Sequence, residues 1–224
     1  MKEIKGALVL DTLEEITDPK HTALLVVDVQ NDNASPKGGL ASKGMDISWV
    51  RDVIPNIKAI LQEARRLSLL IIFMRITRSR DRSYESAPML RRLNEDRAHA
   101  RVVAEYEMEG TWGNEVLDEL QPKSDEKQIT KYYSSSFMGT PLDLILRNNG
   151  IKSAVVVGLV TQGCVETTVR DIEQYGYYPV VLSDCVCSSR QDLHEAALLV
   201  MSSRYDVVTS EELLRVWRSG SAVR

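Results

Sequence analysis

Cysteine is scarce in this chain of 224 residues, with three copies; histidine also has three and phenylalanine two. An odd cysteine count, with two of the three at Cys185 and Cys187, offers no disulfide framework, so a reducing, cytoplasmic setting is expected. The histidines are scattered and form no His- or Cys-rich cluster, so neither a metal nor a cofactor is expected. Long apolar runs are missing too. Ala23–Val27 and Leu67–Met74 are far shorter than the roughly 20 residues a spanning helix needs, which excludes a helical membrane protein. The N-terminus carries Lys2, Glu3, Lys5 and Asp11 with no apolar stretch, so no signal peptide is expected. Neither charge sign dominates: 28 Lys+Arg against 32 Asp+Glu leave −4, which gives nucleic acid no electrostatic footprint.

What is present suits a folded core. Hydrophobic residues make up 43% and charged residues 27%, outside the range of disordered chains. The length fits a single domain over residues 1–224. Apolar, β-branched runs of strand length recur at Thr22–Asp28, Leu69–Arg75, Ser153–Gly158 and Tyr178–Ser183, with a weaker one at Lys127–Lys131 and a short one at Asp206–Thr209. Their continuity, without alternation, predicts strands buried on both faces and hence a parallel sheet. Helical periods lie between them. Ile47–Arg66 has apolar residues at Val50, Val53, Ile54, Ile57, Ile60, Leu61 and Ala64, and Pro141–Arg147, Cys164–Tyr175, Leu193–Arg204 and Ser210–Trp217 follow the same pattern. The expected fold class is α/β: a doubly wound, six-stranded parallel sheet with helices on both faces. Ser35–Gly44 reads as a surface loop. Thr77–Gln121 is long for a crossover and mixes charges with Tyr84, Tyr106 and Trp112, so it is expected to be a lid or an oligomer-forming insertion.

Ligands of such sheets bind beyond the carboxyl ends of the strands, where strand order reverses. An acid (Asp28), a lysine (Lys131) and a cysteine (Cys164) follow three different strands. Cysteine attacks as the thiolate. The helix expected to begin at Cys164 and the charge of Lys131 predict a lowered thiol pKa. Asp28 is placed to take the thiol proton and return it to a leaving amine. The same residues also suit a plain buried cysteine at a strand–helix turn.

Three collinear motifs then point to a family. Asp28-Val-Gln-Asn-Asp32, Lys131-Tyr-Tyr-Ser-Ser-Ser-Phe137, and Gly158-Leu-Val-Thr-Gln-Gly-Cys164-Val-Glu-Thr-Thr168 resemble the signature segments of the isochorismatase-like cysteine hydrolases. That family includes nicotinamidases and N-carbamoylsarcosine, ureidoacrylate and biuret amidohydrolases. The resemblance runs from about residue 20 to about residue 215. It implies an Asp28–Lys131–Cys164 triad, a thioester intermediate, and a non-proline cis peptide at Val160–Thr161 that aims the Thr161 and Cys164 N–H groups at an oxyanion.

Departures from the family pattern narrow the substrate. Asn33 stands where relatives often have Phe or Tyr, which predicts a polar pocket wall. The Asp-x-His metal motif of nicotinamidases is missing from Arg75–Arg80, and no histidine follows until His99. The family's nucleophilic cysteine is kept, which favours C–N cleavage over vinyl ether hydrolysis. Gln30 is expected to orient Asp28 or line the pocket, and Asp32 to be structural. Tyr133 and Phe137 are candidate pocket walls, while Ser189, Arg190 and Arg204 are candidate substrate anchors, the arginines for a carboxylate. His194 is expected to be structural. The expected substrate is a small amide, ureido or N-carbamoyl compound. The expected assembly is a homo-oligomer, dimer or tetramer. The alternatives are a catalytically silent binding or assembly protein on the same fold, a vinyl ether hydrolase, and a thiol protein using Cys185 and Cys187.

Overall fold

The computed structural model describes residues 1–94 and 106–221. Six strands form one sheet: β1 (Thr22–Val27), β2 (Leu70–Ile76), β3 (Lys127–Lys131), β4 (Ser153–Leu159), β5 (Tyr178–Cys187) and β6 (Asp206–Val208). They pair in the order β3-β2-β1-β4-β5-β6, and every pairing is parallel. Strand order therefore reverses between β1 and β4, which is where a doubly wound sheet opens a crevice.

The apolar runs explain the layering. All six residues of β1 are buried. Leu24 and Val26 pack with Ile57, Leu61 and Trp217 in one core cluster, while Ala23, Leu25 and Val27 pack with Leu142, Val169 and Ile172 in another. Successive side chains leave a strand on opposite faces, so a run without polar residues needs cover on both. The cover comes from α1 (Ile54–Arg66), α2 (Leu142–Asn148), α3 (Glu166–Gln174), α4 (Gln191–Ser202) and α5 (Ser210–Ser221). Among the described residues, no helix is long and apolar enough to cross a membrane.

Several expectations shift. The single helix expected over Ile47–Arg66 is broken into Ser48–Arg51 and α1, with Pro55 in the first turn of α1. Proline lacks the N–H that an unbroken helix would use, so it starts a helix more readily than it continues one. A hairpin of Lys2–Ile4 and Ala7–Val9, turning through Lys5 and Gly6 at positive φ, carries no expectation above. Ser35–Gly44 is not all surface: Gly38, Gly39 and Leu40 are buried, and a Cβ on Gly38 would sit 2.0 Å from the Asn31 carbonyl oxygen. The β5 strand runs past Ser183 through Cys187, so Cys185 and Cys187 lie inside it and are buried.

The return of the long segment after β2 is part of the fold. Met108 bridges to Arg78 and Val116 to Gln30, and Val116, Leu117 and Leu120 are buried. This stretch therefore closes over the carboxyl ends of β1 and β2. Residues 95–105 of the expected insertion, His99 among them, lie outside the described residues.

Candidate active site

Asp28, Lys131 and Cys164 come together at the carboxyl ends of β1, β3 and β4. Asp28 follows β1 with φ +55°, a left-handed conformation that Asp tolerates better than most residues. Its Oδ1 accepts from the Ile76 N–H at 2.8 Å. Its Oδ2 lies 2.8 Å from Lys131 Nζ, and Lys131 is wholly buried. Nζ also donates to the Tyr133 carbonyl at 3.1 Å and to the Ser134 carbonyl at 3.4 Å. Acceptors thus surround a buried ammonium that would otherwise be costly to desolvate. The Cys164 thiol lies close enough to both that each of the three groups acts on the ionisation of the others.

A close approach of two strands brings the cysteine in. Gly158 of β4 lies opposite Val27 of β1, at φ +117°, and a Cβ there would be 2.0 Å from the Val27 carbonyl oxygen. Only glycine fits, and β4 then feeds directly into the turn beside Asp28. The turn over Thr161–Val165 is kinked at Gly163, whose φ −115°, ψ −106° are not helical, and α3 begins at Glu166. The cis peptide lies at Leu159–Val160, one residue earlier than the expected Val160–Thr161.

The electrostatics reverse one expectation. The Cys164 thiol is pushed up to about 12, by burial first and then by the Asp28 carboxylate, with Lys131 pulling the other way. Burial also raises the Asp28 carboxyl above its ordinary value, against the opposing pull of Lys131. For Lys131, burial favours the neutral amine, but Asp28 and Cys164 more than offset this and raise its pKa. The Cys164 thiol therefore rests protonated, not as a preformed thiolate, next to an Asp28 carboxyl whose affinity for a proton is also raised.

The remaining predicted residues separate. Gln30 is buried and fully engaged: Nε2 donates to the Ile76 and Asn114 carbonyls, and Oε1 shares the Ile76 N–H with Asp28. It orients Asp28. Asp32 accepts from the Gly39 and Glu107 N–H groups, and a Cβ on Gly113 would be 2.2 Å from its Oδ1. Asn33 lies beside the triad, its Nδ2 donating to the Asp28 carbonyl at 3.1 Å. Tyr133 contributes its carbonyl to Lys131. Phe137 is a correction: it is buried in the core, stacked on Tyr175 with ring centroids 4.5 Å apart. Ser189, Arg190 and Arg204 are exposed. Arg190 donates to Asp192 and Arg204 to Glu173, so both guanidinium groups are spent in surface ion pairs, against the expectation that they anchor a carboxylate. Ser189 is an exposed loop residue ahead of α4.

Two further residues border the site. The Glu107 carboxylate, set by a segment with no strand or helix period, receives the Asn33 Nδ2 at 3.3 Å. His194, in the first turn of α4, has Nδ1 2.8 Å from Thr161 Oγ1. No sequence signal marked Glu107, because its neighbours are brought in from 74 residues away. Among the described residues, no group of three or more His, Cys, Asp or Glu side chains is arranged to hold a metal ion. An open surface groove lined by Pro36, Lys37, Trp112, Asp118 and Glu119 contains none of the triad.

Residues 22–212 match the isochorismatase domain. Among solved structures, a cysteine hydrolase from Pseudomonas syringae pv. phaseolicola shares 27% identity, covering 91% of this chain and 95% of its own, with a TM-score of 0.79. An isochorismatase-like hydrolase from Alkaliphilus metalliredigens shares 25% identity over 90% of this chain and 99% of its own, with a TM-score of 0.72. An N-carbamoylsarcosine amidase from Thermoplasma acidophilum shares the fold at 24% identity, over 85% of this chain and 96% of its own, with a TM-score of 0.65.

Proposed function

Because the chain belongs to the isochorismatase family, we propose that it is a cysteine-dependent amidohydrolase that cleaves the C–N bond of a small amide, ureido or N-carbamoyl compound. The observation that carries this reading is a buried Asp28–Lys131 pair, 2.8 Å apart, set at the strand ends beside the Cys164 thiol. A bare structural cysteine has no use for two buried charges, each costly to desolvate.

The reaction follows from the resting protonation states. Asp28 takes the Sγ proton as sulfur attacks the carbonyl carbon, so a free thiolate never accumulates. Lys131 holds the developing negative charge near sulfur and keeps Asp28 oriented. The carbonyl oxygen becomes an oxyanion, and main-chain N–H groups at Val160, Thr161 and Cys164, where α3 is about to begin, are the donors assigned to it. Collapse breaks the C–N bond, and the proton on Asp28 passes to the leaving nitrogen. Water then attacks the thioester, Asp28 accepts its proton, and the thiol is released with the acid product.

The test is ammonia or amine release across a panel of amides, ureas and N-carbamoyl amino acids, run beside Cys164→Ala. Turnover of a panel member that disappears in the variant supports the reading. Equal turnover in the two proteins refutes it.

A further inference from the structure

We propose that Glu107 is the specificity-determining residue of this site, accepting N–H groups of a neutral ureido or carbamoyl substrate. This inference rests on the amidohydrolase reading above and deepens it.

The backbone at Glu107 is fixed with unusual completeness. Its φ is +54°, rare for a residue with a side chain. Three hydrogen bonds hold it there: its N–H donates to Asp32 Oδ2 at 2.7 Å, and its carbonyl accepts from the Arg78 N–H at 2.9 Å and from Asn114 Nδ2 at 3.1 Å. A non-glycine residue held in a sparsely populated conformation by its surroundings is a common mark of function.

The side chain held by that backbone is poorly satisfied. The carboxylate is nine-tenths buried, with about 10% of its surface open. Among the described residues, Oε1 accepts one long bond from Asn33 at 3.3 Å, and Oε2 lies 3.9 Å from Arg78 Nε, beyond hydrogen-bond reach. A carboxylate has about four acceptor sites, so most of this one's capacity is unused. It is also close enough to the triad to feel it, since Asp28 and Lys131 both act on its ionisation. Asn33 joins the two, its Nδ2 donating to the Asp28 carbonyl and to Glu107 while its Oδ1 accepts from the Tyr106 hydroxyl.

A second unpaired acceptor lies two residues before the nucleophile in sequence. Gln162 Oε1, within the turn that carries Cys164, is buried with no hydrogen-bond partner among the described residues. Unpaired buried acceptors are stabilised by a ligand that supplies donors. Lys131 faces Asp28 and Arg78 faces Glu107, so neither of these two cations is left to hold an anionic substrate. The two exposed arginines, engaged in surface pairs, do not offset that. A neutral group with several N–H donors around one carbonyl satisfies both constraints.

The test uses Cys164→Ala protein, so that binding is read without chemistry and its outcome is separate from the ammonia-release panel. N-Methylurea, which carries N–H donors, and tetramethylurea, which carries none, are titrated by ligand-observed NMR. At pH 8.5, above the value of about 7 to which burial raises the Glu107 carboxyl, N-methylurea binding should weaken about tenfold when Glu107→Met is added and less when Glu107→Gln is added, since hydrogen bonds to charged acceptors are the stronger ones. Tetramethylurea should not respond. If Glu107→Met fails to fold, the isosteric Glu107→Gln carries the comparison alone. Unchanged N-methylurea affinity in the folded variants, or no saturable binding to the parent, overturns the proposal. So does methylammonium binding at Glu107 in preference to N-methylurea, which would assign the site to cations.

Discussion

Lys131 Nζ sits 2.8 Å from Asp28 Oδ2 with both side chains buried, so neither charge has solvent to fall back on. A buried pair of this kind is weak evidence for stability, because desolvation offsets much of the attraction. Removing one partner is a different matter. Lys131→Met alone, or Asp28→Asn alone, should destabilise the protein by about 3–5 kcal/mol. The double substitution should recover much of that loss while turnover stays absent. Urea midpoints of the three variants check the first claim and product release the second. A double variant no more stable than the worse single one would show that the pair is not coupled.

The Cys164 thiol, pushed up to about 12 by burial and by Asp28, should be slow to alkylate at neutral pH. Its reaction with iodoacetamide should climb through pH 7–10 without the plateau that a low-pKa thiolate shows, because the thiolate fraction keeps rising. Cys185 and Cys187, buried in β5 with thiols pushed well above their ordinary value, should react more slowly still. Mass spectrometry of the labelled peptides decides it, and a plateau for Cys164 below pH 8 would restore the preformed thiolate.

The parallel sheet was legible because β1 and β4 are unbroken apolar runs, and burial on both faces leaves no other arrangement for them. The grouping of Asp28, Lys131 and Cys164 was legible because each ends or follows a different strand, and strand ends converge by topology. What lay hidden was set by contacts between distant segments. Glu107 meets Asn33 across 74 residues and has no periodic neighbours to mark it. The thiol pKa was misjudged for a related reason: the helix terminus and Lys131 can be read from sequence, but the depth of burial that outweighs them cannot. Phe137 was misplaced because a stacking partner such as Tyr175 leaves no local pattern.

Glu107 also gives stability a pH signature. Burial first, and then Asp28, raise its carboxyl from 4.5 to about 7. The native state therefore holds a proton between those limits that the unfolded chain releases, so this group's contribution falls as pH rises through that window and levels off above it. The full excursion is about 3 kcal/mol as an upper figure. Glu107→Gln removes the titration, so its stability relative to the parent should improve between pH 5 and pH 7.5. Denaturation curves at the two pH values check the sign, and parallel shifts would place the titration elsewhere.

The last expectation concerns His194, whose Nδ1 lies 2.8 Å from Thr161 Oγ1. Thr161 is buried at the start of the nucleophile turn, and His194 sits half-buried in the first turn of α4. Burial lowers the imidazole below its ordinary pKa, so the neutral ring makes this contact at pH 7. The bond ties α4 to the turn that positions both Cys164 and the N–H groups assigned to the oxyanion. His194 is therefore expected to act as a positioning residue through Thr161. Small displacements of an oxyanion donor affect the transition state more than the bound substrate. His194→Ala should therefore lower kcat about tenfold and leave KM nearly unchanged. His194→Asn, which can put a polar atom near Nδ1, should recover part of the rate. Thr161→Val should reproduce the loss, and combining it with His194→Ala should add little, because both variants remove the same bond. Additive losses in the double variant, or a fall in thermal midpoint that accounts for the lost rate, would make His194 a packing residue and nothing more.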